Sequence, residues 1–224
     1  MARLRTVPVA HNRVRLALHQ LTEGHGPALL LLHGLGERTP VEVPAEVAGW
    51  TGPVWGLDFT GHGESTVPDG GGYTCELLMA DVDLALAHLR EATLCGWGLG
   101  GYVGLLVAGA RPTAVNGLVI ADGPGLAGGS SQPSTVRVIT VEPDEAGTAP
   151  PDPYALGELS ADVRPPGYAA SYAREAVRRS GVDRPLVVSA HERPPWLAAL
   201  ADDGLVAVEP LDEALARFAR AAPP

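Results

Sequence analysis

The chain contains no lysine; all sixteen of its basic residues are arginine. That absence removes every Schiff-base amine and every amine general base from the chemistry open to it. Cysteine is almost as scarce. Cys75 and Cys95 alone can make neither a disulfide scaffold nor a zinc site, and they fit a reduced compartment. No apolar run is long enough to cross a bilayer, and Met1–Arg5 leads into alternating residues rather than an uninterrupted apolar stretch, so a cytoplasmic protein is expected. Positive charge is in deficit too: 16 basic residues against 26 acidic ones give a formal net charge of −10, which speaks against nucleic acid or an anionic membrane as partner. What remains is a chain of 224 residues, 46% hydrophobic, sized for one substantial core. The expectation is a single domain over residues 1–224, without metal or cofactor, whose partner is a small-molecule ligand.

Periodicity orders the elements. Leu4–Val9 and Val14–Leu21 alternate around the His11-Asn12 turn and predict an antiparallel hairpin, with His11, His19 and His25 at surface or turn positions. Ala28–Leu32 is wholly apolar, as a strand covered on both faces should be, and runs into His33-Gly34-Leu35-Gly36-Glu37. A weak helical pattern spans residues 43–49. Val54–Asp58 reads as the next strand and leads into Phe59-Thr60-Gly61-His62-Gly63-Glu64-Ser65. Thr74 suits the N-cap of a helix reaching about Leu89, with Leu78, Val82 and Leu86 on its apolar face. At Thr93–Gly101 a short apolar strand enters a glycine-dense turn, and a helix is expected from Tyr102 to Ala110.

Val115–Ala121 is a further buried strand, ending at Asp122. From Gly125 to about Pro166 the composition shifts to Gly, Pro, Ser and Asp; within it Val136–Val141 could continue as a strand and Pro153–Val163 carries a helical turn or two. Gly167–Ser180 reads as a helix with a solvated face of Arg174, Arg178 and Arg179. Pro185–Ala190 is an apolar strand followed by His191-Glu192. Leu205–Val208 is the last strand, followed by Glu209-Pro210-Leu211-Asp212 and a helix to about Ala221.

The run Gly96-Trp97-Gly98-Leu99-Gly100 resembles the nucleophile elbow of the α/β-hydrolase fold, G-x-S-x-G, with Gly98 standing where the serine should be. Asp58 to Ser65 matches that family's D-x-x-G-H-G-x-S turn at every fixed position, and His33-Gly34 resembles its oxyanion loop. The resemblance implies a mostly parallel sheet with an N-terminal antiparallel hairpin and a short cap or lid insertion at residues 125–180. It implies that the backbone N–H groups of Leu35 and Leu99 form an anion-binding pair. Asp58, His62 and Ser65 would support the fold, and His33 would either lock its loop or touch the ligand. Glu192 falls where the triad acid is usual, with His191 beside it. The triad histidine belongs in the Glu209–Asp212 loop, yet no histidine follows His191.

A serine hydrolase needs a nucleophile and a histidine to deprotonate it, and both positions lack the residue. The expectation is a pseudohydrolase that binds an anionic or carbonyl-bearing small molecule at Leu35, Gly98, Leu99 and His33, with Gly98 leaving extra room where the hydroxyl stood. The alternatives are a non-hydrolytic or weak water-activating enzyme using His33, Asp122, His191 or Glu192 as acid or base, and a protein-interaction scaffold. Asp122 either lines the pocket or caps its turn. Cys95 should point into the packed sheet rather than replace the nucleophile.

Overall fold

The apolar and alternating runs become the strands of one sheet in a computed structural model that describes residues 3–11, 13–129 and 150–221. The strands are β1 (Arg5–His11), β2 (Val14–Thr22), β3 (Ala28–Leu32), β4 (Val54–Leu57), β5 (Ala92–Trp97), β6 (Val115–Ala121), β7 (Leu186–Val188) and β8 (Ala207–Val208). They lie in the order β1-β2-β4-β3-β5-β6-β7-β8. β1 and β2 pair antiparallel, β2 and β4 pair antiparallel, and every pairing from β4 to β8 is parallel. This is the mostly parallel sheet with an N-terminal antiparallel hairpin that the sequence predicts.

Both faces of the central strands are buried, which is why β3 is apolar at every position. Leu30, Leu32, Leu94, Leu118 and Ile120 face α1 (Cys75–Leu89) and α2 (Leu99–Ala110). Leu29, Leu31, Cys95 and Val119 face the other way, toward Leu215 and Phe218 of α6 (Leu211–Ala221). The Thr74 side chain accepts from Leu77 N–H and so caps α1 as expected.

Four local readings are corrected. Residues 43–49 hold only a three-residue 3-10 turn, Ala45–Val47, because Pro44 and Gly49 flank the segment and neither continues a helix cheaply. α2 begins at Leu99 rather than Tyr102, since Gly98 itself takes the N-cap position and the glycines that follow wind into the first turn. A helix, α5 (Pro195–Asp202), fills the stretch between the strands at 185–190 and 205–208 for which no element was expected; prolines are tolerated in a first turn, where their missing N–H would be unpaired anyway. His19 is not at the surface. It is fully buried, its Nε2 3.0 Å from Asp58 Oδ2 and its Nδ1 2.9 Å from Thr6 Oγ1, because the turn after β4 folds over that face of the hairpin. His25 is exposed as expected, and the His11 side chain lies outside the described residues.

In the insertion expected at 125–180, α3 (Pro153–Ala161) docks on the 71–73 loop, where Glu158 Oε2 accepts from the N–H groups of Gly72 and Tyr73. α4 (Pro166–Arg179) buries Ala169, Ala170, Ala173 and Ala176 and packs chiefly against α2 and α5, with its edge on β7. The possible strand at Val136–Val141 lies outside the described residues.

Asp81 of α1 fastens the turn after β4 by accepting from the N–H of Thr60 at 2.8 Å and its hydroxyl at 2.9 Å. It is 3% exposed, and burial pushes its carboxyl up to about 7 despite those bonds. The folded state therefore holds a proton that the unfolded chain releases near pH 4. Stability is expected to fall as pH rises from about 4 to about 7 and then level off, by an amount on the order of 2 kcal/mol or more. Asp81→Asn should flatten that stretch, which urea melts at about pH 5 and about pH 8 would read; an unchanged pH dependence would remove Asp81 as its source.

Candidate functional site

The corner between β5 and α2 is built by close backbone approach. A β-carbon at Gly96 would overlap the backbone of Gly100, and one at Gly100 would overlap the carbonyl of Leu32, so the flanking positions admit only hydrogen. Gly98 sits at φ 55°, ψ −118°, a conformation that L side chains adopt only under strain. The elbow therefore keeps its strained shape although its residue is glycine.

The N–H groups of Leu35 and Leu99 converge on one point, as the resemblance implies, but that point is already filled. Each donates to the carbonyl oxygen of Pro124 at 2.9 Å. The chain leaving β6 crosses the elbow, and a β-carbon at Gly98 would overlap the carbonyl oxygens of Gly123 and Pro124. The extra room expected beside Gly98 is thus absent. The cause is plain: without a hydroxyl nothing holds the loop away, and two amide donors, Leu35 in the loop after β3 and Leu99 at the start of α2, gain more from a carbonyl than from being left unpaired. The Pro124 contact is one that the sequence could not disclose, since Gly123-Pro124-Gly125 reads only as a turn.

His33 locks its loop. It is 5% exposed, its Nδ1–H donates to Gly34 O at 2.7 Å and its Nε2 accepts from Phe59 N–H at 3.1 Å. Burial, with the neighbouring His62 ring, lowers its pKa to about 4, so it stays neutral with both nitrogens engaged. Its ring borders the cavity beneath the β3–β4 crossover, but both nitrogens are already engaged, so neither is free to act as an acid, a base or a polar ligand contact. The same loop is held by Glu37 Oε2, which accepts from Gly34 N–H at 3.0 Å, and by His62 Nε2, which accepts from Gly36 N–H at 3.2 Å. Asp58, His62 and Ser65 all serve the turn: Ser65 donates to Asp58 O at 2.5 Å and accepts from Ala17 N–H at 3.0 Å.

At the carboxyl edge of β6 and β7 the structure brings Asp122 and His191 together. Asp122 Oδ1 accepts from the N–H groups of His191 and Glu192, and its Oδ2 lies 2.9 Å from His191 Nδ1. Burial raises the Asp122 pKa, but those donors outweigh it and hold the carboxyl below its usual value. Asp122 therefore both caps the turn and lines a cleft of about 540 Å³ with Leu35, Pro124, Ser160 and Glu192. The His191 ring is 96% exposed. In the loop after β8, Glu209 is held by Arg184 at 2.9 Å and Arg217 at 3.2 Å.

A second cavity, about 680 Å³, opens on the far side of the 36–40 loop beneath the helix-poor β3–β4 crossover, lined by Leu31, Arg38, Glu46 and Trp97 among others. Cys95 is fully buried in the sheet, as expected, and burial pushes its thiol up. Among the described residues no three His, Cys, Asp or Glu side chains gather as metal ligands, and no helix is long and apolar enough to cross a membrane.

A model of the Alpha/beta hydrolase family matches residues 29–224 of the chain. Among solved structures, a hypothetical protein from Pseudomonas aeruginosa PAO1 is similar over 97% of each chain, at 18% identity and a TM-score of 0.64. A membrane phospholipase A described as a bacterial virulence factor is similar over 96% of this chain and 81% of its own, at 18% identity and a TM-score of 0.53. At such identity both likenesses speak for the fold alone. A search of curated proteins finds no match.

Proposed function

Because the chain belongs to the alpha/beta hydrolase family, we propose that it keeps the family's carbonyl-binding corner without its acyl chemistry, and binds a small molecule through a carbonyl oxygen at Leu35 and Leu99. Acyl transfer requires a nucleophile and a base in contact with it. Gly98 supplies no oxygen, and the loop after β8 offers Glu209, tied to two arginines, in place of a histidine.

The observation that carries this reading is the Pro124 carbonyl, 2.9 Å from both donors. It is an amide oxygen in an oxyanion-hole geometry, and a ligand of the same chemistry exchanges two equivalent hydrogen bonds for it. The positive end of α2 favours negative charge there, but Asp122 and Glu192 line the same cleft and repel a carboxylate. The balance favours a neutral amide, ester, lactone or ketone over an anion.

A two-dimensional amide NMR titration tests this. Acetamide is expected to shift the Leu35 and Leu99 resonances at lower concentration than acetate, and a fluorophosphonate probe is expected to label no serine. A labelled serine would overturn the loss of acyl chemistry. Silence of both resonances toward acetamide and acetate would leave the scaffold reading in its place.

A second reading rests on the Asp122–His191 contact, a carboxylate orienting an exposed imidazole as in a water-activating pair. Any slow hydrolysis of p-nitrophenyl acetate should then disappear in His191→Gln.

A further inference from the structure

We propose that the anion hole is closed by the protein itself and that Arg164 is the latch: its guanidinium fastens the strap of residues 123–126 so that the Pro124 carbonyl stays seated on Leu35 and Leu99. This rests on the reading of that hole as a carbonyl site.

Arg164 is 3% exposed, and among the described residues it makes no ion pair. Its Nη1 donates to the carbonyls of Gly125 and Leu126, the two residues that follow the plug. Its Nε and Nη2 have no hydrogen-bond partner, and its guanidinium lies 4.8 Å from the centre of the Tyr102 ring. Burial disfavours this charge, and the attraction of Cys75 and Asp162, neither of them an ion-pair partner, offsets that in part; the two strap carbonyls are the acceptors the guanidinium holds. Trp196 adds a donor from below, its Nε1–H to Leu126 O at 3.0 Å, and its ring meets Tyr102 edge-on at 5.0 Å.

Apart from these bonds the strap is shallow. Leu126 is buried, but Pro124 and Ala127 are exposed and Asp122, Gly123 and Gly125 are half-buried. Little apolar area holds it down, so its position depends on polar contacts at two levels: Leu35 and Leu99 above, Arg164 and Trp196 beneath. Weakening the lower level frees the upper one. Apparent affinity for a competing ligand scales with the open fraction, so a looser latch binds tighter.

Arg164→Met, which keeps the length of the side chain and removes its donors, tests this by hydrogen exchange followed by NMR on the full chain. The Leu35 and Leu99 amides are expected to lose protection by about tenfold or more, while Leu105 in the middle of α2 keeps its own, and acetamide should bind correspondingly tighter. Unchanged protection at Leu35 and Leu99 in a folded variant would overturn the latch, whatever happens with acetamide. Lost protection with no binding of acetamide or acetate would uphold the latch and overturn the carbonyl-site reading. Where Arg164→Met does not fold, Trp196→Phe removes the other donor and should lower the same two protections about threefold or more, with no change again counting against the latch.

Discussion

Gly98→Ser, which writes G-x-S-x-G back into the elbow, is expected to destabilise the protein by about 2–5 kcal/mol and to restore no esterase activity. Two costs combine. Serine must hold φ near 55°, where only glycine is free of strain, and its β-carbon must displace the Gly123 and Pro124 carbonyls that fill the space. Moving the strap also strips Leu35 and Leu99 of the acceptor they share. In a chain of this size that corresponds to a fall of roughly 5–15 °C in melting temperature. Gly98→Ala should lose nearly as much, which separates the β-carbon from the hydroxyl. Activity stays absent because no imidazole faces the new oxygen, and an unassisted hydroxyl is a weak nucleophile. A Gly98→Ser variant that melts with the wild type would mean that the strap yields at no cost, and the packed description of the hole would be wrong.

The sheet was legible in the sequence and the plug was not, for a physical reason. Strands such as Ala28–Leu32 and Val115–Ala121 declare themselves because burial on both faces selects apolar side chains, and the elbow declares itself because close approach selects glycine at 96 and 100. The Pro124 contact is made by a backbone carbonyl, which every residue carries, so no side chain marks it. Arg164 is hidden likewise: a lone arginine between Val163 and Pro165 looks like surface. His19 misled through its alternating position, since period two says which side of a hairpin a residue faces but not what later folds across that side. The 43–49 segment and α5 show opposite outcomes of proline and glycine, which defeat a helix when they interrupt it and permit one when they begin it.

Asp58→Asn is expected to cost about 3–5 kcal/mol, because buried donors that share this carboxylate are left without an acceptor. Its carboxylate serves three donors: Thr39 N–H at 2.7 Å on one oxygen, Glu64 N–H at 2.8 Å and the His19 ring at 3.0 Å on the other. An amide offers one acceptor oxygen and turns two N–H bonds of its own toward groups that also donate. Burial raises this carboxyl's pKa, but the His19 contact and the two backbone donors more than reverse that and hold it far below the usual range. For a depressed carboxyl the stabilisation is complete above the unfolded value near pH 4 and drains away as pH falls below it. Wild-type protein should therefore show a steep loss of stability in acid, and Asp58→Asn a lower but flatter profile, as urea melts at neutral pH and circular dichroism through an acid titration would record. Equal acid sensitivity in both proteins would mean that another carboxylate governs it.

The strand order also governs how the sheet is made. Once β4 has slotted between β2 and β3, every later strand joins the same side in chain order, β5, β6, β7 and then β8. A ribosome thus feeds a single growing margin, and each newly emerged strand finds its neighbour already in place rather than waiting for sequence still to come. The opposite margin is finished when the first hairpin docks. Stray chains could template on either edge strand: β1 carries Pro8, which lacks a ladder donor, and the growing margin ends in β8, two residues long, a stub that offers too few ladder groups to recruit another strand.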